Sequence, residues 1–84
     1  MFEDRIFAIG RQLGGRLDAY LIQGALNYVD HKEEALALEI LCDHIAEYEV
    51  RITEAEHNQL LNLARDMGID VAGAPYRYLI DLVG

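Results

Sequence analysis

Eighty-four residues make one small domain, and seven Lys+Arg against fifteen Asp+Glu leave a formal charge of −8. Hydrophobic residues at 52% suffice for a core and exclude a disordered chain. The absence of Ser excludes a Ser-His-Asp hydrolase and a Ser-linked prosthetic arm, and the single Cys42 excludes an internal disulfide or a Cys-rich zinc site.

Apolar residues recur at helical spacing along nearly the whole chain, and no stretch alternates as a strand would. Phe2, Ile6, Ile9 and Leu13 form a first stripe, which Gly14-Gly15 closes. Leu17, Leu21, Ala25 or Leu26, and Val29 form a second, with Asp18 near its N-terminus favouring the helix dipole. A third helix is expected to start at Asp30, with Glu33 three residues on as in a capping box. It should continue from Lys32 to about Tyr48 through strong helix formers without Gly or Pro. Glu49-Val50-Arg51-Ile52 reads as a short extended connection. Thr53-Glu54-Ala55-Glu56 matches a second capping box, opening a helix that carries Leu60, Leu61, Leu63, Ala64 and Met67. This helix ends at Gly68, with Ile69 placed for a Schellman contact. Pro75 at a first helical position begins a last short helix through Tyr76, Leu79 and Leu82. The expectation is a single all-α domain over residues 1–84, a bundle of four to five helices without repeat or linker. Acids in Met1-Phe2-Glu3-Asp4 are unlike a signal peptide, and no apolar run approaches the ~18–20 residues that cross a bilayer. A cytoplasmic protein without membrane contact is therefore expected.

The charge is uneven. Residues 30–56 hold nine acids against Lys32 and Arg51, whereas acids and bases cancel over residues 1–29. On the third helix Ala37, Leu38, Leu41, Cys42, Ile45 and Tyr48 share a broad core face. Glu39, Asp43 and Glu47 fall at i, i+4 and i+8 on another face, with Leu36 and Ile40 among them. Like charges at this spacing cost an isolated helix a few tenths of a kcal/mol each. The stripe is either a solvated face or a docking surface for a basic partner, where its field would speed association. Tyr48, beside the stripe, is the candidate interface aromatic. Five tyrosines otherwise suit the edge of a core.

Residues that would carry catalysis or a cofactor are not recognised. His31, His44 and His57 form no His-Glu-x-x-His pattern, and His44 with Glu47 lacks a third ligand at fitting spacing. Cys42 and His44 point apart on a helix, so they make no nucleophile pair, and Cys42 reads as a buried small hydrophobe. Gly14-Gly15 lacks the spacing and the Lys of a phosphate loop, and no EF-hand run exists. An acidic stripe offers no asymmetry for a catalytic carboxylate pair. A net negative chain repels phosphate, so nucleic acid is not an expected direct partner. The chain reads as a binding protein rather than an enzyme, with no cofactor.

The run Tyr28-Val29-Asp30-His31-Lys32-Glu33-Glu34-Ala35-Leu36-Ala37-Leu38-Glu39-Ile40-Leu41-Cys42-Asp43-His44-Ile45-Ala46-Glu47-Tyr48 resembles the small MafI-like immunity proteins. The Ile52-to-Glu56 helix start and the Ala64-to-Ile69 helix end fit the same pattern, so the likeness covers about half of the chain. Departures are Lys32, in a turn where the pattern leads one to expect Gly, and the Tyr76-Arg77-Tyr78 segment. The resemblance implies an inhibitor of a secreted toxin encoded beside it, of MafB or contact-dependent growth inhibition type, neutralised through its C-terminal domain. Such toxins are often nucleases, EndoU-like RNases among them, and a nuclease cleft is basic because it holds phosphates. The expected toxin contacts are Glu39, Asp43 and Glu47, flanked by Tyr48 and Glu49, with Asp30, Glu33 and Glu34 where the third helix begins. The rival reading is a small helical interaction or regulatory module, including a homodimer formed through Leu36, Ile40 and the tyrosines.

Overall fold

The computed structural model describes residues 1–84 and contains four α-helices and two 3₁₀ helices: α1 (Glu3–Gln12), α2 (Ala19–Leu26), a 3₁₀ turn (Val29–His31), α3 (Glu34–Glu47), α4 (Glu54–Asp66) and a C-terminal 3₁₀ helix (Tyr76–Leu82). The all-α bundle expected from periodicity is the fold. Capping chemistry sets several of these boundaries. Asp18 accepts from the Tyr20 amide at 2.7 Å at the head of α2. At α4 both halves of the capping box form: Thr53 Oγ1 accepts from the Glu56 amide at 3.0 Å, and Glu56 Oε1 accepts from the Thr53 amide at 2.8 Å. The same helix ends as expected. Gly68 is left-handed at φ 80°, and the Ile69 amide returns to the Ala64 carbonyl at 2.9 Å in a Schellman turn.

The capping box expected at Asp30 and Glu33 does not form. Asp30 lies within the 3₁₀ turn, and the chain then closes on itself through left-handed Lys32, φ 60°. The Lys32 amide donates to the Val29 carbonyl and the Glu33 amide to the Tyr28 carbonyl, at 3.0 and 2.9 Å. With those two amides already satisfied, the helix restarts only at Glu34, and Glu33 holds its N-cap position without a side-chain cap. Residue 32 is thus a place where Gly would be unstrained.

α3 touches α1, α2 and the C-terminal 3₁₀ helix, so it is the central element. Ala37, Leu38, Leu41, Cys42 and Ile45 are all fully buried along it. Each buried Leu or Ile contributes about 1.5–3 kcal/mol of transfer free energy. Tyr48 does not join that face; it is 56% exposed. The helix stops at Glu47, and left-handed Glu49 (φ 50°) turns the chain so that Val50 is buried instead. A second Schellman turn forms here, with the Val50 amide donating to the Ile45 carbonyl at 3.0 Å. The connection beyond is pinned by the end of the chain: the Ile52 amide donates to the Leu82 carbonyl and the Gly84 amide to the Ile52 carbonyl, both at 3.1 Å. On α2 the buried residues are Ile22 and Ala25, with Leu21 only half-buried. α1 and α2 approach closely at Gly10, where an added Cβ would meet Leu26 Cδ1 at 3.0 Å.

Arg16, after the left-handed Gly15, ties the first loop to α4. Its fork donates to both carboxylate oxygens of Glu56, at 2.8 and 2.5 Å, and to the carbonyls of Arg51 and Gln12, at 3.0 and 2.6 Å. No helix is long and apolar enough to cross a membrane.

Candidate acidic groove

Between α3 and the C-terminal 3₁₀ helix runs an open groove of about 760 Å³. Its acidic lining is Asp43, Glu47, Glu49 and Asp81, and no Lys or Arg lines it. Ile40, Ala46, Pro75 and Leu82 supply apolar surface, and Tyr78 and His44 stand among them. Fully buried Leu38, Leu41, Cys42 and Ile45 hold the opposite side of α3 in the core and so fix which side of the helix carries the carboxylates. Tyr76 and Leu79, only 3% and 0% exposed, do the same for the 3₁₀ helix, leaving Tyr78 and Asp81 outward.

The eight residues expected to meet a partner divide by position. Asp43, Glu47 and Glu49 meet in the groove. Glu39 is exposed one turn before Asp43 on the same stripe. Tyr48 lies over a separate, smaller depression of about 530 Å³ with Tyr20, Leu17, Leu21, Arg16 and Asp18. Asp30 and Glu33 are exposed at the far end of α3, about 20 Å from Glu47 at a rise of ~1.5 Å per residue. Glu34 is half-buried and already engaged, its Oε2 accepting from the Phe2 amide at 3.3 Å beside the start of α1.

Asp81, Tyr78, Pro75 and His44 were not among the expected contacts. The first three come from a segment that begins 28 residues after α3 ends, and no local pattern pairs it with α3. The Arg77 guanidinium carbon sits 4.8 Å from the Tyr78 ring centroid, and Arg77 Nη2 donates to the Tyr78 hydroxyl at 2.7 Å. The His44 and Tyr48 rings lie tilted, 6.2 Å apart. His44 Nδ1 and the Tyr76 hydroxyl are buried without a hydrogen-bond partner. Burial raises the Tyr76 hydroxyl well above the usual phenol range, with nearby Cys42, Glu39 and Asp43 adding to it. Burial likewise pushes the Cys42 thiol far up, so this cysteine is inert at neutral pH. No three His, Cys, Asp or Glu side chains gather in a way that would hold a metal ion. No family model matches the chain, and neither a curated protein nor a solved structure matches it.

Proposed function

We propose that this protein is an immunity-type inhibitor that binds a basic toxin domain tightly, one to one, without chemistry of its own. The observation that carries the reading is the groove beside α3, with four carboxylates, an apolar floor and no lining Lys or Arg. It stands beside the resemblance of residues 28–48 to MafI-like proteins. A basic cleft that holds phosphates is its electrostatic complement, and the partner class favoured is a nuclease toxin. The test is co-expression with the toxin domain encoded beside this gene, followed by pull-down and an RNA-cleavage assay at rising amounts of this protein. The expected result is a one-to-one complex that ends cleavage. No complex and undiminished cleavage would overturn the reading and leave the helical interaction module in its place.

A further inference from the structure

The charge of the chain stops at α2. From Ala19 to Val29 there is no Asp, Glu, Lys or Arg, although the whole chain has a formal charge of −8. This stretch is not interior: Ala19, Tyr20, Gln23, Gly24, Asn27 and Tyr28 are exposed along one side of it, Tyr20 at 87%. Gln23 Nε2 donates to Asn27 Oδ1 there at 2.9 Å, so the two amides serve each other. Gly24 costs helix stability relative to Ala, and nothing within the chain requires it. Its φ is not positive, and an added Cβ would meet no atom within 4 Å, unlike the one at Gly10. Beside it lies an open depression of about 300 Å³ lined by Gly24, Asn27, Tyr28 and His31.

We infer that α2 pairs with α2 of a second copy of this chain, antiparallel about a two-fold axis, each Tyr20 seated at the other copy's Gly24. An axis crossing the face midway between positions 20 and 24 brings each ring over the opposite glycine, one helical turn away. The face thus carries its own knob and its own hole, which makes it complementary to itself. Charge selects the same occupant. A charged partner would leave its ions unpaired on a neutral face, whereas two acidic chains repel everywhere except where neither carries charge. The helix has only eight residues, about 12 Å, which is short of the ~800 Å² per partner of a stable complex. The dimer is therefore of the weak, micromolar class. None of these residues lines the acidic groove, so the contact is independent of the inhibitor reading.

Sedimentation velocity on the full chain, from about 5 to about 300 µM, tests the pairing. A monomer–dimer equilibrium is expected that tightens as salt rises from about 50 to about 500 mM, because salt screens the repulsion between the two acidic copies. Gly24→Glu should abolish the dimer, and Tyr20→Ala should weaken it at least about tenfold. Ile80→Ala, which trims an exposed apolar side chain on the C-terminal 3₁₀ helix, should leave it unchanged. Gly24→Glu enters open space in the single chain, and an unaltered circular dichroism spectrum verifies its fold. In a mixture of labelled and unlabelled protein, intermolecular NOEs are expected from the Tyr20 ring to Gly24. A monomer at every concentration and salt, or a dimer that salt weakens, would overturn the inference. So would a dimer indifferent to Gly24→Glu, or one that Ile80→Ala disrupts as much as Tyr20→Ala does.

Discussion

Glu56 serves two neighbours at once: it closes the α4 capping box and accepts both arms of the Arg16 fork. Chiefly through those hydrogen bonds, Arg16 holds the Glu56 carboxyl down to about 2. A depressed carboxyl stabilises the fold fully above its unfolded value, near 4.5, and that contribution disappears as pH falls toward 2. Glu56→Gln keeps the box, since Gln serves at that position, and removes only the ion pair. It should cost about 2 kcal/mol at pH 7, less than the full shift implies because Arg16 is about one-third exposed. Urea denaturation at pH 7 and pH 2.5 checks this, with the gap between variant and wild type closing at the lower pH. Lys32 and Glu49 are the two non-glycine residues with positive φ. Their consequences differ, because Lys32 lies outside the groove and Glu49 lines it. Lys32→Gly should stabilise by roughly 0.5–1 kcal/mol, the left-handed strain relieved less the added freedom of the unfolded chain. Glu49→Gly should raise the thermal midpoint similarly and yet weaken a basic partner. A calorimetric scan beside a binding titration separates the two effects.

α3 joins two demands along one helix. Its inner side is fully buried, so Leu38→Ala should lower stability by about 2–5 kcal/mol, read from chemical denaturation. Its acidic stripe is exposed and mutually repulsive, so truncating one member should not harm the fold. Asp43→Ala should therefore leave the midpoint nearly unchanged while weakening binding of the proposed basic partner by roughly 2–5 kcal/mol through faster dissociation. If midpoint and affinity fell together, Asp43 would be structural. The helix boundaries show how far local chemistry reaches. Thr53 with Glu56 and Gly68 with Ile69 were readable because each motif satisfies its own backbone groups within six residues. The Asp30–Glu33 pattern misled because the competing closure at Lys32 took the Glu33 amide that the Asp30 side chain would have capped. Tyr48 was misplaced because helical phase was carried one residue beyond the last helical turn.

Across the molecule, charge and shape separate. Acids and bases cancel over residues 1–29, and the surplus lies on α3 and its two flanks. Such a field acts at long range, so association with a basic partner should slow as salt rises from about 50 mM to 500 mM, where the Debye length shrinks from over 10 Å to a few ångströms. Stopped-flow mixing measures it, and a rate insensitive to salt would exclude steering.

Helix content, the core side of α3, the position of the charge surplus and the caps of α4 could all be read in one dimension. Each follows from residues within a few turns of one another, through the 3.6-residue period and local hydrogen bonding. The groove could not. Asp43 and Asp81 become neighbours because α3 and the C-terminal 3₁₀ helix share one core, and Ile52 binds the chain end with two backbone hydrogen bonds. Nor could the division of the acids be read, with Glu34 drawn to the start of α1, Asp30 and Glu33 left at the far end, and Asp43, Glu47 and Glu49 gathered over apolar surface. Periodicity assigns a side to each helix, but which neighbour covers or faces that side is settled by contacts between segments distant in the chain.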